Sequence, residues 1–300
     1  MNIYYTGSAL NLSALYMIAG SGALISIKSG DFNLGGEGQI YLGGFVSAVL
    51  LAKMSATGAW LVAGNPFGAC IAIACALLAA FACSALMAGL SAVFKIFRNA
   101  DFLFTSFIAS AAMIPFIDGL ISGPFRSTTD NLLATPFIAD SVRLTGILPP
   151  SPLNTSFIAA LALCAGAWFL LNRTAWGRQL CTLGISPKFA RYVGFPCKKL
   201  SLSSAMLSGG LHGLCGAAAI LGTYFTCHQG FYSGMGWNAF SSALIAGANP
   251  LLLIPSSLIM GFITTYSNKF ALYHNFGFDI SSMLQAAILF LISFYPRRSK

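Results

Sequence analysis

Side chains that could hold a metal, a proton or a nucleophile are scarce in this 300-residue chain, which has seven acids, three histidines and eight cysteines. His212 and Cys215 stand at i, i+3, a spacing that turns both to one helical face, but no further ligand converges on them. No Cys-x-x-Cys pair occurs, and Cys70, Cys75, Cys83, Cys164 and Cys215 lie in apolar runs, where cysteine serves as a small packing residue. Neither a catalytic centre nor a metal site is expected. A Gly-x-x-x-x-Gly-Lys-Ser/Thr loop is absent, as is any Gly-Lys dipeptide, so nothing here cradles nucleotide phosphates. Only Glu37 and Asp118 among the acids fall well inside apolar stretches, while Asp31, Asp101 and Asp279 sit at their ends. Ion-coupled carriers need a chain of intramembrane carboxylates, and that chain is missing.

The densest polar pattern is Gly30-Asp31-Phe32-Asn33-Leu34-Gly35-Gly36-Glu37-Gly38-Gln39. A glycine-rich turn leading straight into an apolar run must face protein or a water-filled cavity. Asn33 is placed to cap the helix that follows, and Glu37 and Gln39 then offer polar groups near the cytoplasmic end of that helix. Asn33, Glu37 and Gln39 are therefore the candidates for a solute path, with an interhelical hydrogen bond as the plainer role for Glu37. Farther along, Gly209 and Gly213 stand at i, i+4 in Ser208-Gly209-Gly210-Leu211-His212-Gly213, which lets another helix approach closely. The turn Gly230-Phe231-Tyr232-Ser233-Gly234-Met235-Gly236-Trp237-Asn238 suits either interfacial anchoring or ligand stacking.

The elements that position these residues are set by the solvent. The chain is 57% hydrophobic and 8% charged, the composition of a protein dissolved in a bilayer. Apolar runs near 10–27, 34–53, 66–94, 102–122, 155–172, 201–225, 238–249, 251–268 and 279–295 predict an all-α polytopic membrane protein, residues 1–300 forming a single transmembrane domain. About nine crossings are expected, within a range of roughly eight to ten. The seventh run is too short to cross upright, and Asn249-Pro250 breaks it from the eighth, so a broken or re-entrant helix is expected there. The amino terminus has no basic segment ahead of its first apolar run, so that run is expected to stay as a span.

Lys28, Lys95, Arg98, Arg173, Arg178, Lys188, Arg191, Lys198, Lys199, Arg297, Arg298 and Lys300 all fall on one side of the alternation; Lys53, Arg126, Arg143 and Lys269 fall on the other. The positive-inside rule makes the richer side cytoplasmic, with the amino terminus outside and the carboxyl terminus inside. The net charge of +9 is dispersed over short connections, which excludes a nucleic-acid footprint. Two connections are long. The external one, about 123–154, is polar and proline-rich, suited to meeting an extracytoplasmic partner. The cytoplasmic one, about 173–200, is basic and contains a helix start, Ser186 as cap and Pro187 at the first position.

Phe32-Asn33-Leu34-Gly35-Gly36-Glu37-Gly38-Gln39 resembles the signature after the first span of ABC importer permeases of the branched-chain amino acid, ribose and nucleoside superfamily, in its simple-sugar/nucleoside (riboflavin-like) branch. Gly123-Pro124, Arg173-Thr174-Ala175-Trp176-Gly177, Gly184-Ile185-Ser186-Pro187 with Ala190-Arg191-Tyr192-Val193-Gly194, Ser208-Gly209-Gly210 and Ala243 through Pro250 resemble that branch in order and spacing, over nearly the whole chain. The resemblance implies a permease subunit without a catalytic site of its own, in a bacterial cell membrane. It implies ATPase subunits that hold ATP and magnesium, a second permease subunit, identical or homologous, and an external binding protein or lipoprotein that delivers a nucleoside, riboflavin or simple sugar. It also makes Ser186, Pro187, Lys188, Ala190, Arg191 and Tyr192 the coupling helix that docks on the ATPase. The competing classes are a stand-alone secondary transporter or channel, which needs no docking helix, and a membrane-embedded enzyme, which needs convergent catalytic groups.

Overall fold

The computed structural model describes residues 3–56, 66–128 and 131–274, with positions 283, 286, 287 and 290. The described residues form a helical bundle with no strand, only two isolated bridges, Ala134 with His228 and Gly146 with Asn154. The helices are α1 (Ile3–Lys28), α2 (Gly36–Ala56), α3 (Pro66–Arg98), α4 (Phe102–Ser122), α5 (Ser156–Arg173), α6 (Ala175–Ile185), α7 (Pro187–Tyr192), α8 (Cys197–Ala219, continued by a π turn, Ile220–Tyr224), α9 (Met235–Ile245) and α10 (Leu253–Tyr273). Five are long and apolar enough to cross a membrane: α1, α3, α4, α5 and α8 with its π turn. The expected ninth span, 279–295, falls almost wholly outside the described residues.

α1 and α8 form the centre. Each buries 83% of its most apolar window, against 33% for α3, 22% for α4 and 28% for α5, whose outward faces are bulky and apolar as lipid contact requires. The centre is built from small residues because backbones must come close where no hydrophobic effect drives helices together. A Cβ on Gly209 would meet the Ser84 carbonyl oxygen of α3 at 2.6 Å, and one on Gly213 would meet that of Ala80 at 2.5 Å. Gly216 lies directly on the Ile40 carbonyl of α2. The Gly209/Gly213 spacing is a packing device, as its pattern indicates.

Side-chain contacts fix the directions. α1 runs antiparallel to α8: the Asn11 amide donates to Thr223 Oγ1 at 2.9 Å, Cys215 Sγ donates to the Leu15 carbonyl at 3.3 Å, and Gly22 abuts Ser208. Near the far end Asn154, just before α5, donates to Asn11 Oδ1 at 2.9 Å and to the Gly222 carbonyl at 3.0 Å, tying three helices. Lys28, Lys95, Arg191 and Lys198 gather at one end of the bundle, around two cavities that also receive Gly184, Pro187 and the Gly247–Pro250 turn. At the other end Arg143 covers the Phe225 ring at 4.5 Å and Lys269 the Tyr5 ring at 4.2 Å.

Two segments cross without being continuous helices. After α1 the chain turns at Gly30, whose φ of +82° suits glycine, and runs extended through 31–35 before α2 begins beside His212. His212 is fifteen residues into α8, about 22 Å from its start. α2 therefore begins deep in the bundle rather than at its basic end. After α8 the chain reverses at Phe225, folds inward through 226–234, and completes the crossing with α9, whose 11 residues span about 16 Å. The short α9 lies within the seventh run, but the interruption precedes it, at 225–234, whereas Asn249-Pro250 falls in the turn between α9 and α10 at the basic end; a further interruption, unforeseen, precedes α2.

Candidate functional site: a mid-bundle joint and a docking end

The two broken crossings meet head to head. Glu37, in the first turn of α2, accepts hydrogen bonds through Oε1 from the backbone N–H groups of Gly236 at 2.9 Å and Trp237 at 3.2 Å, in the first turn of α9. A Cβ on Gly236 would lie 2.6 Å from the Glu37 nitrogen, so only glycine lets the two helix starts touch. First-turn N–H groups have no partner within their own helix, and a carboxylate satisfies them in both charge and geometry.

Asn33 and Gln39 are almost wholly buried and bonded to each other in both directions: Asn33 Nδ2 donates to Gln39 Oε1 at 2.9 Å, and Gln39 Nε2 to Asn33 Oδ1 at 3.1 Å. Asn33 also donates to Ser208 Oγ at 2.9 Å and accepts from the Gly35 N–H at 3.0 Å. Ser106 and Ser110 of α4 accept from the N–H groups of Leu34 and Gly38 at 3.2 and 2.7 Å. The three residues predicted for the path thus come together, but at the middle of the bundle rather than near its basic end, and as the frame of the joint. His212 and Cys215 turn to different partners: His212 Nδ1 donates to the Ser208 carbonyl at 2.8 Å, and Cys215 to Leu15. Among the described residues no group of three or more His, Cys, Asp or Glu side chains is placed to hold a metal ion.

What the joint exposes is aromatic. Trp237 and Phe32 are each 40% exposed, and Phe32 meets Phe240 edge to face at 6.2 Å. Toward the other end Tyr41 donates to Asp118 Oδ1 at 2.6 Å and lies 4.6 Å, ring to ring, from Tyr232. Gln229 Nε2 donates to the Asp118 carbonyl oxygen at 3.1 Å and to Ser122 Oγ at 2.8 Å. The glycine-rich turn around Phe231 therefore belongs to the interior, with Phe231 only 3% exposed. Phe32 stood beside the polar motif in the sequence, but no periodicity marked it as exposed.

The basic end carries α6 and α7, where the sequence predicted one short helix. Thr174 Oγ1 caps α6 by accepting from the Gly177 N–H at 3.1 Å, and Ser186 Oγ caps α7 by accepting from Phe189 at 3.4 Å, with Pro187 in the first turn. Ala190 is fully buried and pins α7 to the bundle, while Pro187, Lys188, Arg191 and Tyr192 are exposed, Tyr192 by 90%. Ile185, 87% exposed, Phe189 and Val193 add an apolar surface that the sequence motif had only outlined. Cys181 of α6 is half-buried, and that burial raises its thiol pKa, opposed by the nearby Lys28 ammonium.

Comparison with known proteins identifies the family. Residues 5–293 match the family model described as branched-chain amino acid transport system / permease component. The chain is 33% identical to a protein named probable riboflavin import permease, from Treponema pallidum, over 96% of this chain and 74% of the relative. It is 24% identical to the guanosine ABC transporter permease protein NupP of Bacillus subtilis, over 86% and 72%, and 22% identical to a glucose ABC transporter permease of Haloferax volcanii, over 92% and 73%. No solved structure matches significantly. A helical bundle with apolar crossings, matched end to end by the family model, identifies this chain as a member of the branched-chain amino acid transport system permease family, a multi-pass membrane protein and transport subunit without a catalytic site of its own.

Proposed function

We propose that this chain is the membrane-spanning half of an ATP-driven importer of a nucleoside-like solute with a planar ring, seated in a bacterial cytoplasmic membrane with its basic end inside. The observation that carries the reading is α7: a capped helix held by one buried residue, Ala190, that exposes Phe189 and Tyr192 with Lys188 and Arg191, beside the exposed Ile185 at the end of α6. Exposed aromatics and arginine at a rigid, small patch are what a protein interface needs, and a stand-alone carrier has no use for them. The partner is an ATPase subunit that holds ATP and magnesium. Ser186, Pro187, Lys188, Ala190, Arg191 and Tyr192 form the docking element, and a second permease subunit, identical or similar, completes the pair.

The solute path runs over the face where Trp237 and Phe32 emerge from the joint, with Asn33, Glu37 and Gln39 holding that joint open from behind. Backbone that is not helical is tolerated at membrane depth only against protein or a watery cavity, so the face at 31–35 and 226–234 is unsuited to lipid. Broken helices meeting near the midplane are a recurrent way to build a transport site. The planar-ring preference rests on the exposed indole and phenyl rings and on the names of the riboflavin and guanosine relatives. An external binding protein delivers the solute to the end bearing Asp118, Tyr232 and the 123–154 connection.

Reconstitution with the cognate ATPase and binding protein tests the reading. ATP-dependent uptake of riboflavin or guanosine, uncompeted by glucose, is expected. Uptake that proceeds without ATP would make the chain a secondary carrier, and uptake of glucose alone would overturn the planar-ring preference.

A further inference from the structure

Between the docking end and the joint lies one short piece of chain, 28–36, and it is gripped where it starts. Gly184, at the end of α6, sits against the turn after α1 with backbone on backbone. A Cβ there would collide with the Lys28 carbonyl and lie 2.9 Å from the Gly30 nitrogen. α7 follows immediately through one shared residue, Ser186, which closes α6 by donating its N–H to the Thr182 carbonyl at 3.0 Å and caps α7. A displacement of α7 therefore reaches the turn at Gly30 without slack.

The next residue, Asp31, is the anchor. Its N–H donates to the Ser26 carbonyl at 3.1 Å and its own carbonyl accepts from Ser26 Oγ at 2.6 Å, which fixes it to α1. Its carboxylate pairs with Lys95 at the end of α3 and accepts from Ser201 Oγ, in the second turn of α8, at 2.8 Å. Lys95 also donates to Ser201 at 3.4 Å. From there the chain is extended as far as Asn33, which bonds Ser208 and Gln39, and then Glu37, which holds the start of α9. The five residues 31–35 lie outside any helix, so they have no helical hydrogen bonds to absorb a pull between Asp31 and the joint. A cavity of about 710 Å³ separates α7 from this anchor, lined by Asp31, Lys95, Pro187, Arg191, Lys198 and Ser201 among others, and gives α7 room to move.

We propose that Asp31, held by Lys95 and Ser201, is the positioning residue through which movement of α7 is passed to the Glu37 joint. The inference rests on the importer reading above. With the carboxylate in place, the 31–37 segment moves as one piece with the ends of α1, α3 and α8. Without it, the segment is loose at its origin and the joint no longer follows α7. A merely structural ion pair would lower stability equally in all states and leave the joint's response to ATP intact.

The test uses the whole permease–ATPase complex in lipid nanodiscs with Phe240→Cys as reporter. The labelling rate of Cys at position 240 by an impermeant maleimide is read by mass spectrometry, with and without ATP plus vanadate. ATP should change that rate several-fold in the unmodified background. Asp31→Asn should keep ATP hydrolysis within about twofold and abolish the change, and Asp31→Lys with Lys95→Asp should restore at least half of it. A wild-type response in Asp31→Asn overturns the inference alone. If Asp31→Asn does not assemble, Lys95→Gln, on the more exposed partner, decides in the same way. No response to ATP in the unmodified complex overturns the importer reading and this inference with it.

Discussion

Glu37 and Gly236 are 199 residues apart in sequence, and the carboxylate of one accepts from the backbone N–H of the other at 2.9 Å. With a second bond from the Trp237 N–H at 3.2 Å, that contact joins the starts of two helices whose crossings enter from opposite ends of the bundle. Glu37→Ala would strand the N–H groups of Gly236 and Trp237 where water is scarce. Removing the acceptor of two buried hydrogen bonds costs on the order of 3 kcal/mol. Thermal unfolding in detergent should show a clearly lowered midpoint for Glu37→Ala and a smaller loss for Glu37→Gln, which keeps a carbonyl acceptor. Equal losses for the two would show that side-chain bulk, and not the acceptor, holds the joint.

Glycines in the bundle should divide sharply. Gly213 faces the Ala80 carbonyl and the Ser84 side chain with no room for a Cβ, whereas Gly166 of α5 has nothing within 4 Å. Gly213→Val should destabilise by at least the roughly 1–3 kcal/mol of an overpacked core. Gly166→Ala should be neutral or stabilise by about 0.5–1 kcal/mol through helix propensity. Melting temperatures of the two variants in the same detergent check the pair.

Trp237 offers one of the two exposed rings at the joint on which the proposed path depends. Trp237→Ala should raise the KM for riboflavin or guanosine uptake about tenfold, the equivalent of 1.4 kcal/mol of lost stacking. The ATPase rate measured without binding protein should stay near that of the unmodified complex. Trp237→Phe should recover most of the loss, since it keeps an aromatic face.

Cys181 gives a pH-dependent check of how α6 is seated. Burial raises its thiol pKa, and Lys28 offsets this only in part. The thiolate is the reactive form, so iodoacetamide should modify Cys181 more slowly than a model thiol at pH 7.5 and the rate should climb only at higher pH. Lys28→Gln removes the offset and should shift that rise further upward.

The sequence made some of this legible for definite reasons. Ser186-Pro187 announced α7 because capping is local, and Gly209/Gly213 announced close packing because the spacing alone creates the flat face. The expected spans at 66–94, 102–122 and 155–172 overlie α3, α4 and α5, whose lipid-facing sides are uniformly apolar. The start of α2 was misplaced in depth because hydropathy measures how apolar a segment is and says nothing of where it begins across the bundle. Glu37 was recognised as a polar group needing a partner, but its partner lies in another crossing. The turn bearing Trp237 suited interfacial anchoring and ligand stacking equally, and Phe32 stood only as a member of the polar motif; the two breaks bring both rings beside Phe240. Asp31 and Lys95, both read as charges at span ends, acquire a role only when Gly30 and Gly184 are seen to touch.

The most direct measurement is recovery of partners with the tagged chain from native membranes, beside Arg191→Glu and Tyr192→Glu, two variants confined to the exposed face of α7. The account predicts that an ATPase subunit with a P-loop comes with the unmodified chain, and that either substitution loses it while the permease keeps its melting temperature. Recovery of the chain without any ATPase, together with solute transport that needs no ATP, would contradict it.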